Sequence, residues 1–243
     1  MRKDKMVFVI TAGPTREHID PVRFLSNPST GKMGFAIARA AAARGHDVAL
    51  VAGPVSLRTP RGARRIDVTS AREMLAAVMD AISCVTDRPV VFVSTAAVAD
   101  WRPAKCAPRK LKKGQMSDVL KLVRNPDILK TVSRSFSSTR NPSPAALHAS
   151  TCSTRLIPTP KKPLLVGFAA ETGDPVAEAK RKCREKGLEL VVANDVTEKG
   201  AGFGTTTNHV AIVRRDGTVE RLPMMTKAAV ARRIVRVCEG LCP

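Results

Sequence analysis

Between Val7 and Gly34 the chain reads VFVITAGPTREHIDPVRFLSNPSTGKMG, and this stretch narrows the possible folds more than any other. It opens on a short apolar, β-branched run, Val7 to Ile10, the pattern of a buried strand. Thr11-Ala-Gly-Pro-Thr15 then stops the strand with turn residues. After a polar linker, Ser26-Asn-Pro-Ser-Thr-Gly-Lys-Met-Gly34 leads directly into the small-residue helix expected over Phe35 to Arg44, with Gly45 just past its end. Hydroxyls and glycines ahead of a helix suit an anion. Glycine lets backbone approach it, hydroxyls donate to it, and the helix end supplies unpaired N–H groups. The same glycines also serve a plain tight turn with close helix–strand packing. The spacing matches neither G-x-G-x-x-G nor G-x-x-x-x-G-K-[ST], because Met33 follows Gly31-Lys32.

The segments that follow alternate in the same way. Asp47 to Ala52 is a second strand, Ser56 to Arg65 a basic, proline-bearing loop, and Thr69 or Ser70 can cap a helix from Ala71 to about Ile82. Val90 to Ser94 is a third strand, ending in Thr95-Ala-Ala-Val-Ala-Asp100-Trp101-Arg102. Leu164 to Phe168 is a further strand, a Lys-rich helix follows Pro175, and Leu188 to Ala193 reads as the last strand of the sheet. Val210 to Arg214 and Thr218 to Leu222, joined at Asp216-Gly217, read as a β-hairpin, and Thr226 can cap a closing helix from Lys227 to Glu239. Strand–helix–strand order implies an α/β, Rossmann-like, doubly wound and mainly parallel sheet, with a C-terminal β-hairpin and closing helix, in one domain over 1–243.

In such sheets ligands sit at the carboxyl ends of the strands. Asp100 stands just past such an end, where it would touch ligand or cap a turn. Asn125-Pro-Asp-Ile128 is a turn and helix-start signal. Lys105, Arg109, Lys110, Lys112 and Lys113 form a run without acids, usually a solvated face. Lys182 and Lys186 are four apart and share one face of their helix. Thr131 to Pro163 holds no Asp or Glu, seven Ser, five Thr and five Pro. Its part from about Ser133 to Pro160 reads as a mobile surface insertion.

The 41 Lys+Arg against 21 Asp+Glu leave a formal charge of +20, which raises nucleic acid, anionic membranes and anionic small molecules as partners. With 3% aromatic residues and no Tyr, platforms for stacking single strands are scarce, and the basic residues are spread over every segment. The six cysteines and four histidines show no metal-ligand spacing, so reduced thiols in a cytoplasmic protein are expected. No apolar run approaches the roughly 18–20 residues of a membrane span.

The motifs ITAGPTRE-x-x-DPVR, SN-x-S-[ST]-GKMG, AAVADWR, AP-x-KLKK, NPDI, GFAAET and ANDV together resemble bacterial phosphopantothenoylcysteine synthetase, the ligase of coenzyme A biosynthesis. The resemblance implies activation of 4′-phosphopantothenate by CTP to an acyl-cytidylate, then amide formation with L-cysteine, releasing pyrophosphate and CMP. It implies Mg²⁺ with CTP as co-substrate, no flavin in this chain, and a homodimer formed through a β region at about 204–222. It places Asn27 at the intermediate's carbonyl region and Lys110 on a flap over the triphosphate. Ser29, Thr30, Gly31 and Gly34 would form the phosphate turn. Ser94, Thr95, Ala96, Pro126, Asp127, Ile128, Leu129, Phe168, Lys182 and Lys186 would line the nucleotide pocket, with Asp100 serving ribose or metal. Arg109 stands where the resemblance leads us to expect an acid. With six residues ahead of the first strand, the flavoprotein decarboxylase that many relatives carry is expected to be separate or excised.

Two other classes fit parts of the sequence. One is an NAD(P)-dependent oxidoreductase, which lacks the glycine fingerprint and an acid after the second strand, where Gly53-Pro54 stands. The other is a basic nucleic-acid-binding protein, although nothing points to a specific nucleic acid.

Overall fold

The computed structural model describes residues 5–112, 119–136, 162–202 and 204–242. Eight strands form the main sheet: β1 (Val7–Ala12), β2 (Asp47–Ala52), β3 (Ala63–Asp67), β4 (Val90–Ser94), β5 (Leu164–Glu171), β6 (Leu190–Asp195), β7 (Ala211–Arg214) and β8 (Val219–Arg221). Their order across the sheet is β8-β7-β6-β5-β4-β1-β2-β3. β3 through β6 run parallel, and β7 and β8 are antiparallel. The order reverses between β1 and β4, so a crevice opens at their carboxyl ends.

Period-two alternation gives each strand two buried faces. Phe8 and Ile10 of β1 pack with Leu50, Val93 and Val166 against α1 (Lys32–Ala43) and α5 (Lys227–Leu241). Val7 and Val9 face the other way, toward α2 (Ala71–Ser83), α3 (Ile128–Ser135) and α4 (Pro175–Lys186). Both faces being covered is why the parallel strands read as continuous apolar runs. Ser70 caps α2 in a reciprocal box with Glu73, Asp127 caps α3 and Asp174 caps α4. Among the described residues no helix is long and apolar enough to cross a membrane.

Four expectations need correction. α1 begins at Lys32, three residues before Phe35, because Gly31 takes a left-handed conformation (φ 75°) and starts the helix inside the glycine turn. Ala63–Asp67 is an edge strand rather than loop, its arginines tolerated because one side of an edge meets solvent. The sheet continues beyond β6, since the hairpin adds to it as β7 and β8 with Ile212 and Val213 in the core. Ser133 is helical and buried, and its hydroxyl donates to the Lys186 carbonyl at 2.7 Å, so an insertion cannot start there. Residues 137–161 lie outside those described.

The far ends of α1 and α5 are clasped by one carboxylate. Arg44 donates to both oxygens of Glu239, at 2.5 and 2.7 Å, and His46 Nε2 approaches the first at 2.9 Å. Met6 N–H donates to His46 Nδ1 at 3.3 Å, which assigns the ring proton to Nε2. Burial pushes the Glu239 carboxyl up, but Arg44 and His46 more than offset this and hold it below its usual value. A depressed carboxylate stabilises the fold above its unfolded pKa of about 4.3, and that stability is lost as pH falls through the folded value. Glu239→Gln should therefore lower the melting temperature at pH 7 by about 3–8 °C, for a loss of about 1–3 kcal/mol. The gap to wild type should close below about pH 4, read by thermal melts across pH. A constant gap would assign the effect to packing alone.

Candidate functional site

At the switch point two strand-end loops are fastened to each other. Ala97 N donates to the Gly13 carbonyl (2.9 Å) and Thr15 N to the Ala97 carbonyl (3.3 Å). Thr95 Oγ1 donates to the Thr11 carbonyl, and Ala99 N to Thr15 Oγ1 (3.0 Å). Thr15 is fully buried. On the other side Asn125 Nδ2 holds the Ala99 carbonyl at 2.8 Å, and Asn125 N the Asp100 carbonyl at 2.8 Å. TAGPT and STAAVAD therefore form one rigid wall.

α1 starts beside that wall. Its first turn has no side-chain cap and no acidic residue, so its leading N–H groups and positive dipole end stay available. Gly34 lets the helix come this close. A Cβ there would lie 2.5 Å from Thr95 Oγ1 and 2.6 Å from Ala12 Cβ. Close packing and free leading N–H groups therefore coexist at this glycine turn.

In front of the turn is a cavity of about 390 Å³. It is lined by Ser29, Thr30, Gly31 and Gly34, by Ser94, Thr95, Ala96 and Asp100, by Pro126, Asp127, Ile128 and Leu129, and by Phe168, Lys182 and Lys186. All of these were expected at the nucleotide. Sequence reasoning missed Lys227, Asn194 and Asn208 as lining residues, and gave Lys32 no role. Lys227 opens α5 directly after its Thr226 cap, so by itself it looks like the first turn of an amphipathic helix.

Two expected residues are not on the cavity wall. Asn27 is off the lining, its Nδ2 donating to the Ala97 and Val98 carbonyls, each at 3.2 Å. With its amide hydrogens engaged, Asn27 positions the loop. Lys110 lies off the lining and is exposed. The segment carrying it is anchored at its base. Leu111 N donates to Asp20 Oδ2 at 3.2 Å, Arg23 Nη2 donates to the Leu111 carbonyl at 2.8 Å, and Ala107 N donates to the Ile19 carbonyl. Asp20 is fully buried, and the Arg23 guanidinium holds its carboxyl far below the usual range. Residues 113–118 lie outside those described.

The four lysines on the wall differ in their partners. Lys182 Nζ sits 2.7 Å from Glu171 Oε1, and Lys186 Nζ 2.7 Å from Asp127 Oδ2. Burial pushes the Asp127 carboxyl up, but Lys186 and the Lys130 N–H outweigh it and keep it low. Lys32 and Lys227 instead donate to main-chain carbonyls, those of Gly204 and Gly202. Among the described residues no group of three or more His, Cys, Asp or Glu could hold a metal. Among the described residues, Asp100 is the wall carboxylate without a lysine partner. One such carboxylate suits Mg²⁺, which takes one or two from protein and the rest from phosphates and water.

The sequence matches the family described as DNA/pantothenate metabolism flavoprotein C-terminal domain over residues 3–142 and 154–241. A Vibrio vulnificus protein named coenzyme A biosynthesis bifunctional protein CoaBC is 43% identical over 98% of this chain and 53% of its own length. The Bacillus subtilis protein of that name is 44% identical over 96% of this chain and 51% of its own. The chain thus spans about half the length of the curated relatives it matches. The crystal structure of the C-terminal domain of a CoaBC superposes with a TM-score of 0.73 at 37% identity, covering 98% of this chain and 96% of that one. A Cab2 mutant in complex with phosphopantothenate-cysteine shares the fold, with a TM-score of 0.71 at 16% identity over 98% of this chain and 87% of that one.

Proposed function

The chain belongs to the family of DNA/pantothenate metabolism flavoprotein C-terminal domains, and on that basis we propose that it is a phosphopantothenate–cysteine ligase of coenzyme A biosynthesis. The carboxylate of 4′-phosphopantothenate attacks the α-phosphate of CTP, and the amine of cysteine then displaces CMP to form the amide. Neither half-reaction needs a protein nucleophile. Both need two anionic substrates to be held together and the transferring phosphoryl charge to be stabilised. The observation that carries this reading is the uncapped start of α1 at the switch point, facing a cavity lined by four lysines.

In this reading the first-turn N–H groups of α1 and the Ser29 and Thr30 hydroxyls take phosphate oxygens. The base lies between Phe168 and the Pro126–Leu129 segment, within reach of main-chain groups of the STAAVAD wall. Lys182 and Lys186 exchange their carboxylate partners for ligand. When bound, Mg²⁺ would neutralise triphosphate charge, with Asp100 the wall residue to hold it. Lys110 closes from the anchored flap base. A homodimer belongs to the same reading, although Ile212 and Val213 of the expected 204–222 region face the core. The exposed apolar Val22, Phe24, Trp101 and Leu122 lie elsewhere, on the ribbons Arg16–His18/Phe24–Ser26 and Trp101–Pro103/Leu122–Arg124 or the turn between the first pair. The oxidoreductase alternative is not favoured, because Gly53 stands beyond β2 with the Pro14 carbonyl folded over it.

A pocket whose main-chain groups bond one base leaves polar atoms unpaired with another, so CTP should outpace ATP by up to about 10⁴-fold. The test is pyrophosphate release from 4′-phosphopantothenate and cysteine, with CTP, ATP, GTP and UTP in turn and with Mg²⁺ withheld. No pyrophosphate from any nucleotide would overturn the ligase reading. Faster turnover with ATP would overturn the CTP assignment alone.

A further inference from the structure

Four lysines line the cavity, and charge divides them into two pairs. Lys182 and Lys186 have Glu171 and Asp127 as counter-charges. Lys227 has none among the described residues. It is 8% exposed, and its ammonium makes one bond of 2.9 Å to the Gly202 carbonyl, leaving two of three donor positions without a described protein acceptor. Lys32, at the first position of α1, likewise reaches only a carbonyl among the described residues, that of Gly204. Burial lowers the pKa of Lys227 and the Lys32 ammonium pushes the same way, so the two cations are close enough to repel. The positive end of α1 adds to both.

A buried ammonium without a counter-charge is costly to the fold, and a second cation beside it raises the cost. The arrangement is accounted for when an anion of high charge completes it. Inorganic pyrophosphate and the distal phosphates of a nucleoside triphosphate carry several negative charges and many acceptor oxygens. A nucleoside monophosphate offers less on both counts. The carboxylate-paired lysines are less suited to this, because an anion there must first displace Glu171 or Asp127.

We infer that Lys227 and Lys32 hold the β- and γ-phosphates of the nucleotide, and the pyrophosphate that leaves it, at the α1 end of the cavity. This rests on the ligase reading. In the first half-reaction a carboxylate oxygen bonds to the α-phosphorus while the bond from that phosphorus to the bridging oxygen breaks. The electron pair departs on pyrophosphate, and charge grows on the oxygens these two ammonium groups face. Lys227 therefore favours the bond-breaking step as well as triphosphate binding.

The test is calorimetric titration of inorganic pyrophosphate and, separately, CMP into wild type, Lys227→Met and Lys32→Gln, in Mg²⁺ buffer, with CTP titrated into wild type as well. Loss of one charge-assisted contact should weaken pyrophosphate roughly 10- to 100-fold in each variant and leave CMP within about twofold. The melting temperature of ligand-free Lys227→Met should be equal to or above that of wild type, because an uncompensated buried charge is gone. Lys32→Gln changes a partly exposed side chain and carries the test if Lys227→Met does not fold. Unchanged pyrophosphate affinity in the variants, or an equal loss for CMP, would overturn the inference. Wild type binding neither CTP nor pyrophosphate would instead overturn the ligase reading beneath it.

Discussion

Asn27→Asp is expected to lower kcat/KM for pyrophosphate release by about 10³-fold or more and to cost several degrees of melting temperature. Two effects act in the same direction. The amide nitrogen of Asn27 now holds the Ala97 and Val98 carbonyls, each at 3.2 Å. A carboxylate places an oxygen there, and turning the group cannot help because both its terminal atoms are oxygens. The loop ending in Asp100 is then pushed off the wall it forms with TAGPT. The new negative charge also stands beside a cavity proposed to gather two anionic substrates. Asn27→Ala separates these effects, since it removes the tether without adding charge. Its expected loss is about 10- to 10²-fold, carried more in kcat than in the KM for CTP. Turnover by Asn27→Asp at the wild-type rate would remove this residue from both roles.

Gly53→Ala is expected to abolish recovery of folded protein, or to lower its melting temperature by 10 °C or more. An added Cβ would lie 1.7 Å from the Pro14 carbonyl oxygen and 2.8 Å from its carbon. Both sides of that contact are main chain and both are tied down. Gly53 N donates to the Ala12 carbonyl at 2.9 Å, and Pro14 is bridged to Ala97. No side-chain rotation relieves such an overlap, and enforced backbone shifts of this kind cost about 4 kcal/mol or more, a large part of a typical 5–15 kcal/mol. Gly240→Ala is the comparison. It lies in α5 with nothing within 4 Å of its added Cβ, and should be neutral or gain up to about 1 kcal/mol. Circular dichroism melts of the two variants decide it, and a wild-type melt for Gly53→Ala would refute the crossing.

The strands β1, β2 and β4 were legible because each is an uninterrupted apolar run that only a doubly covered sheet can bury. β3 was not, since Arg64 and Arg65 mask its period and its strand character comes from pairing with β2. The cavity wall was legible wherever residues adjoin a strand end or glycine turn: Ser29 to Gly34, Ser94 to Asp100 and Pro126 to Leu129. Lys227 was not, for it lines the cavity from about 200 residues beyond the turn, and it stands out by having no counter-charge among the described residues. Such a signal exists only in three dimensions. Asn27 was found as a site residue, but its bonds to Ala97 and Val98 are contacts across some 70 positions that spacing cannot reveal. The anchoring of the flap base was not legible for the same reason, because its anchors, Asp20 and Arg23, lie far upstream.

The seam between residues 11–15 and 95–99 combines two main-chain bonds with three made by the hydroxyls of Thr11, Thr15 and Thr95. Main-chain groups and these three hydroxyls fasten it from within, so the shape of this wall does not depend on which side chains the rest of the surface presents. The outer charge, +20 in this chain, can then vary widely while the pocket keeps its form. Mutational tolerance should therefore be uneven. It should be high on the solvent faces of α2 and α4, and low at the three threonines and at the glycines that let the backbones meet.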